Sequence, residues 1–396
     1  MIISKIAVLS TRFHQSVSLT IPQVQADGSA KDITYGHDHI IHGGGDRYLV
    51  DFCHHLMADG HEVRVYEEYS PIPGFEGPYP QYIEKEYQGI KFLAHFLSPR
   101  QGHDFLNRAF NEHARHADLR VYFVTSLCHP RVVNPAVSIS HGIFWDFCEH
   151  PYASMSEEQR KHYMSIQMKG FTLPDQVVAV DYNVRNVIQA MEPGSEIRIH
   201  VIPNYVNTQV FKPRPKDWKG IRVLFPRRST MVRGWNIFSA AAKALPEYEF
   251  IACGDAMNES EQEDLERNVT RILPNLVQIH KRPEEMPELY QSVDISVIPT
   301  IGAEGSSLSC CESMACGLST IVSGVGGLAQ MVRDGLDGLI FDPNHDHLAD
   351  YIKYLAENED VRKTMGEKAR ETALTWDESI WWNRWRQLIP PVEAMQ

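Results

Sequence analysis

Pro299-Thr300-Ile301-Gly302-Ala303-Glu304-Gly305-Ser306-Ser307-Leu308-Ser309-Cys310-Cys311-Glu312-Ser313-Met314-Ala315-Cys316-Gly317 ends an apolar, β-branched run at 294–299 and reads as the opening of a helix. A strand that turns through glycine into a helix leaves unpaired N–H groups and the positive end of the helix dipole at the turn. Gly305, Ser306 and Ser307 stand at that turn, so the spacing predicts a phosphate cradle. Eight helical steps at ~1.5 Å separate Glu304 from Glu312 by about 12 Å. The carboxylates of a retaining glycosidase lie about 5 to 5.5 Å apart. The separation here suits a sugar at one end of a pyrophosphate and a ribose at the other.

Outward from this segment, short β-branched runs alternate with amphipathic helical stretches, the pattern of a parallel sheet covered on both faces. Candidate strands in the first half are 2–10, 62–66, 119–125, 136–141, 176–180 and 198–202. After Phe211 the stiff connector Lys212-Pro213-Arg214-Pro215 intervenes, and strands recur at 221–225, 248–253, 276–280, 294–299 and 319–323. The reading is two Rossmann-like doubly wound α/β domains, 1–210 and 211–375. Trp376, Trp381, Trp382 and Trp385 crowd the C-terminal stretch. So aromatic a helix must bury itself, and residues 376–396 are expected to return to the first domain. The connection 11–42 is far longer than the usual 2 to 6 residues of a strand-to-helix loop. Its alternation at 16–25, followed by Asp27-Gly28, suggests a hairpin.

A chain of 396 residues exceeds one ordinary core, and 43% hydrophobic content is enough to fill two. A formal charge of -13 argues against a nucleic-acid face, so an anionic ligand has to be held by local cations. The seven scattered cysteines suit a reducing compartment, and no apolar run approaches the ~20 residues of a membrane span. A cytoplasmic protein is expected, touching a membrane at most from one side. Cys310, Cys311 and Cys316 lack a histidine at ligand spacing, and His37, His39 and His42 lie on a loop, so no metal is expected.

Pro226-Arg227-Arg228-Ser229-Thr230-Met231-Val232-Arg233-Gly234 follows the first strand of the second half, the end at which doubly wound sheets bind ligands. Its arginines are the candidate cations for a diphosphate. Ile139-Ser140-His141-Gly142 ends a strand of the first half, which places His141 toward an interdomain cleft.

With these blocks in view, the Glu-x7-Glu segment resembles the signature of the family 4 retaining glycosyltransferases (glycosyl transferases group 1), which have the GT-B fold. Gly43-Gly44-Gly45-Asp46-Arg47 resembles that family's first glycine loop. Ile202-Pro203-Asn204-Tyr205-Val206-Asn207 resembles its interdomain approach, and Gly324-Val325-Gly326-Gly327 its later glycine turn. The resemblance implies a catalytic set of His141 near the reacting carbon, Arg228 and Arg233 on the diphosphate, and Glu304 on the sugar hydroxyls. Arg233 stands where the family has lysine, and Arg227 is able to share the role of Arg228. Donor binding would fall to Gly43, Gly44, Gly305, Ser306, Ser307, Leu308 and Glu312, with Glu312 on the ribose. The base would be read near His280-Lys281-Arg282-Pro283, chiefly by backbone. The implied reaction moves a hexose with retention from a nucleotide diphosphate sugar, a UDP-sugar being favoured and UDP-glucose one candidate, without metal or other cofactor. The acceptor, a glycan, a lipid-linked sugar or a small molecule, is not encoded legibly, although a place in cell-surface polysaccharide synthesis fits. A sugar-nucleotide epimerase of the same architecture and a non-catalytic sugar-nucleotide binder are the alternatives.

Overall fold

The computed structural model describes residues 4–11, 13–24, 30–35, 39–40, 43–69, 71–72, 75–97, 102–143, 154–193, 199–254, 273–302, 304–343 and 347–392. The chain begins β1 (Lys5–Leu9), β2 (His14–Ser16), β3 (Leu19–Val24), β4 (Ala30–Tyr35), β5 (His39–Ile40), α1 (Gly44–Ala58), β6 (Glu62–Tyr69), β7 (Tyr82–Tyr87) and β8 (Ile90–Phe96). It continues α2 (His103–His113), β9 (Leu119–Tyr122), β10 (Ala136–Ser140), α3 (Glu157–Thr172), β11 (Gln176–Ala179), α4 (Tyr182–Met191) and β12 (Ile199–Val201). Eight of these strands form one sheet in the order β12-β11-β10-β9-β1-β6-β8-β7, parallel except for the edge pair β7/β8, while β2/β5 and β3/β4 are separate antiparallel pairs.

The second half runs β13 (Arg222–Phe225), α5 (Trp235–Ala244), β14 (Glu249–Cys253), β15 (Leu276–Ile279), α6 (Met286–Tyr290), β16 (Ile295–Ile298), α7 (Leu308–Ala315), β17 (Ser319–Ser323) and β18 (Leu339–Phe341). Its six parallel strands lie in the order β15-β14-β13-β16-β17-β18. The order reverses between β13 and β16 in this sheet, and between β1 and β9 in the first. Doubly wound sheets open a crevice at such points, beyond the carboxyl ends of the strands. β10, β16 and β17 are buried along their whole length, as expected of strands covered on both faces.

Three helices close the chain, α8 (Leu348–Glu357), α9 (Glu359–Ala373) and α10 (Glu378–Arg386). α10 lies on the first domain, where Trp381, Trp382 and Trp385 join Tyr48, Phe52 and Leu56 of α1 in one core cluster. Both indole N–H groups that reach polar partners find them there. Trp382 Nε1 donates to Asp59 Oδ2 at 2.9 Å and Trp385 Nε1 to the Tyr48 hydroxyl at 3.1 Å. The Arg386 guanidinium adds two bonds to Asp59, at 2.8 and 2.6 Å. The C-terminal helix thus crosses back as the aromatic pattern predicts, except that Trp376, ahead of it, packs against the core of the second domain.

The long connection holds the hairpin its alternation suggests, and other elements depart from the sequence reading. The hairpin in the long connection is β3/β4, Leu19 pairing with Tyr35 and Val24 with Ala30, while Asp27-Gly28 lies outside the described residues. β7, β8 and β18 were not anticipated. Glu84-Lys85-Glu86 lies in β7, the outer edge of the first sheet.

Candidate functional site

Glu304 follows β16, and both of its oxygens are held by cations from the loop after β13. Arg227 meets it with two guanidinium nitrogens, Nη1 donating to Oε2 at 2.7 Å and Nη2 to Oε1. Arg227 Nη1 also reaches Thr300 Oγ1 at 3.1 Å, and Arg233 Nη1 stands 3.2 Å from Glu304 Oε2. The Glu304 and Arg227 side chains are each 10% exposed. Burial pushes the Glu304 carboxyl up, but Arg227 and then Arg233 outweigh it and hold it at about 2, against an ordinary 4.5. Gly234 sets this loop. Its φ is 84°, and a Cβ there would fall 1.9 Å from the Pro299 carbonyl oxygen, so a side chain is excluded.

Glu312 sits on α7, almost fully buried. Its Oε2 accepts the Tyr290 hydroxyl at 2.8 Å, and its Oε1 pairs with Arg47 of α1, across the interdomain cleft. At the same seam Gly44 faces Leu308, whose Cδ1 would lie 3.3 Å from a Cβ on the glycine. Gly43 caps α1, its N–H donating to Asp46 Oδ2 at 2.9 Å.

The turn between the glutamates is bound more tightly by protein than a phosphate cradle implies. Ser306 Oγ donates to the Val180 carbonyl at 2.7 Å and accepts the Asn204 N–H at 3.0 Å. Ser307 caps α7, with its side chain accepting from the Cys310 N–H, and its own N–H points to Met331 Sδ at 3.1 Å. Gly305 lies against the first domain. A Cβ there would sit 2.6 Å from the His141 carbonyl oxygen and 2.8 Å from Val180 Cγ2.

His141 follows β10 directly, edge-on to Tyr48 with ring centroids 5.2 Å apart. Its Nε2 is buried without a hydrogen-bond partner. Burial pushes the imidazole down to about 4, against an opposing backbone hydrogen bond at Phe123. The ring is therefore neutral at pH 7.

The structure brings Arg233, Glu304, Gly305, Ser306, Ser307, Leu308, Glu312, Gly44 and His141 to one seam between the domains. Arg228 stands apart from Glu304; it is exposed and lies within electrostatic reach of Asp46. Arg227 takes the carboxylate instead. Arg282 is two-thirds exposed and paired with Glu284 and Glu285 of its own turn. Its backbone N–H also goes to Glu285, at 3.1 Å. Arg47, Tyr290 and Asn204 were missed as site residues, because their partners are distant in sequence. Among the described residues no three His, Cys, Asp or Glu side chains gather as a metal site, while His37 and His42 lie outside those residues. Among the described residues no helix is long and apolar enough to cross a membrane.

Residues 42–210 match the family described as Glycosyltransferase Family 4, and residues 207–372 match Glycosyl transferases group 1. A D-inositol 3-phosphate glycosyltransferase from Paenarthrobacter aurescens is 28% identical over 205 residues, 47% of this chain and 49% of that protein. The chain spans about half the length of the curated relatives it matches. Sucrose-phosphate synthase from Thermosynechococcus elongatus aligns with a TM-score of 0.76 at 16% identity, over 99% of this chain and 100% of that one. HepE from Anabaena, solved in complex with UDP-glucose, aligns with a TM-score of 0.67 at 15% identity, over 97% and 99%. At such identities the likeness is one of fold, and that fold is GT-B. With two family matches running in succession from residue 42 to residue 372, the chain belongs to the group 1, family 4 glycosyltransferases.

Proposed function

We propose that the chain transfers a hexose from a UDP-sugar, glucose being one candidate, to an acceptor hydroxyl with retention of configuration. The observation that supports this most is the pair of buried carboxylates flanking the α7 start, Glu304 beneath two arginines and Glu312 beside Tyr290. A sugar pyrophosphate lies naturally between them. Its negative charge draws Arg233 away from Glu304, while the two-pronged Arg227 keeps the carboxylate ionised for the sugar hydroxyls. As the glycosidic bond breaks, charge grows on the β-phosphate. Arg233, Arg228 at the exposed rim and the helix-start N–H groups of Leu308 and Ser309 stabilise it without reorganising. The acceptor then attacks from the face the diphosphate leaves, and a phosphate oxygen takes its proton.

His141 acts in this scheme as a neutral hydrogen-bonding group for the sugar, since its imidazole carries no charge near pH 7. Glu312 exchanges Arg47 for the ribose hydroxyls. Cationic side chains supply the electrostatics that a divalent metal supplies elsewhere, so turnover should persist in EDTA. A cytoplasmic place, with a glycan, lipid-linked or small-molecule acceptor in cell-surface polysaccharide synthesis, completes the proposal.

The test is incubation of the purified chain with a panel of UDP-sugars, with and without candidate acceptors, and assignment of the product anomer by NMR. An α-linked product from an α-linked donor is expected. A changed sugar on UDP in the absence of acceptor points to an epimerase, and tight UDP-sugar binding with no turnover to a silent binder.

A further inference from the structure

We propose that Ser306 and Asn204 are positioning residues that pin the Glu304 turn of the second domain to the His141 strand of the first. The proposal rests on the function proposed above for its kinetic arm only. Three bonds make the pin. Ser306 Oγ donates to the Val180 carbonyl at 2.7 Å, the Asn204 N–H donates to Ser306 Oγ at 3.0 Å, and Asn204 Nδ2 donates to the Ser306 carbonyl at 2.5 Å. Both the hydroxyl and the peptide of Ser306 are thereby fixed from the first-domain side.

The path onward is short. Val180 follows β11 and its N–H donates to the Ser140 carbonyl at 3.1 Å, one residue before His141. Two hydrogen bonds therefore connect the residue two positions after Glu304 to the residue next to His141. Gly305 closes the same gap by contact, since only a residue without a side chain fits against the His141 carbonyl. The groups proposed to hold opposite sides of the sugar come from different domains, and this pin sets their separation. A displacement of about 1 Å in such a pair is enough to cost on the order of a hundredfold in rate.

Two further observations separate this role from ordinary interface packing. Asn204 Oδ1 is buried with no hydrogen-bond partner. Leaving such an acceptor unsatisfied is unfavourable, and the amide retains that orientation because its Nδ2 is held on Ser306. Asn204 also lies where the chain passes from the first sheet to the second, between β12 and β13. The pin therefore sits beside the pivot, where it fixes the angle between the domains while opposing their parting with little leverage.

The experiment uses the full chain carrying Ser306→Ala, Ser306→Thr and Asn204→Asp. In Ser306→Ala, kcat should fall 10- to 100-fold while the donor KM and the Kd for UDP stay within threefold. Ser306→Thr keeps the hydroxyl and should recover kcat to within about fivefold. Asn204→Asp, which removes the Nδ2 donor, should resemble Ser306→Ala. Amide hydrogen exchange at 304–307 and 180 should rise at least tenfold in Ser306→Ala, whatever the chain transfers. Unchanged exchange overturns the pin by itself, and so does a kcat within twofold of wild type or an equal loss of UDP affinity. Absence of turnover in the wild-type chain refutes the proposed function instead, and the exchange measurement then decides the pin alone.

Discussion

Replacing Arg227 by alanine should remove the main support of a buried carboxylate. Two arginines lower the Glu304 carboxyl from 4.5 to about 2 despite its burial. That displacement corresponds to roughly 3 kcal/mol of stability from this one group at neutral pH. Because the folded value lies below the unfolded one, the contribution is complete above pH 4.5 and is lost as the pH falls toward 2. Arg227 makes both of the bidentate bonds and is the largest lowering influence, whereas Arg233 touches one oxygen at 3.2 Å. Arg227→Ala should therefore destabilise the chain by about 3 to 5 kcal/mol at pH 7, the range for breaking one side of a buried ion pair. At pH 3 the variant's Glu304 is protonated, and the wild type keeps only about 1 kcal/mol of the same contribution. The gap between the two should narrow by about 2 kcal/mol between pH 7 and pH 3. Urea unfolding at pH 7, 5 and 3, followed by tryptophan fluorescence, measures it. Adding Glu304→Gln to Arg227→Ala should recover most of the loss at pH 7. A loss below about 1 kcal/mol at pH 7, or a gap that does not change with pH, would refute the reasoning.

Glu304→Gln should lower turnover much more than UDP affinity, whereas Glu312→Gln should weaken UDP and UDP-sugar binding alike; isotherms beside kinetics distinguish them, and the reverse pattern would invert the donor. Asp181 caps α4 through Oδ1 while its Oδ2 is buried unpartnered, and burial raises its carboxyl from 3.8 to about 6 against the amides of Val184 and Asn183. Its favourable contribution is complete below pH 3.8 and is lost as pH rises through 6, so Asp181→Asn should be about 1 to 3 kcal/mol more stable than wild type at pH 8 and equal to it at pH 4. Equal midpoints at both pH values would contradict that. Trp385→Ala empties a fully buried site under α1 and should cost about 3 to 5 kcal/mol in urea unfolding; a loss under about 1 kcal/mol would show that α10 is dispensable to the first domain.

The sequence carried the parallel core strands well, since a strand covered on both faces is short, uncharged and rich in β-branched residues, as Ile295–Ile298 and Ser319–Ser323 are, each buried along its whole length. It hid the edge. Tyr82–Tyr87 exposes Glu84 and Glu86 on the face that meets water while Lys85, on the other face, donates to the Ser18 carbonyl, and the strand pairs with Ile90–Phe96 through a turn at Gln88 and Gly89, both with positive φ. That pair of dihedral signs makes a type I′ turn, which Gln-Gly announces less clearly than Asn-Gly. The site divided in the same way. Glu304 and Glu312 were legible because they are close in sequence and share one helix start. Arg47 and Tyr290, which complete the Glu312 end, lie 265 and 22 residues from it, and no local pattern connects them. The two serines misled for a physical reason. A hydroxyl at a helix start suits an anion or a protein acceptor equally, and here Val180 and the α7 cap take them.

The return of α10 to the first domain has a consequence for biosynthesis. All eight strands of the first sheet have been synthesised once Val201 is made, yet Tyr48, Phe52 and Asp59 still lack their covering tryptophans. Those arrive only after the entire second sheet. For most of translation the nascent first domain therefore displays an aromatic stripe on α1, a target for chaperones and for aggregation. The second domain, whose core clusters draw on residues from Val206 onward, is able to complete itself sooner after its own synthesis. The core of the N-terminal half is thus completed only by α10, which is made after the whole second sheet.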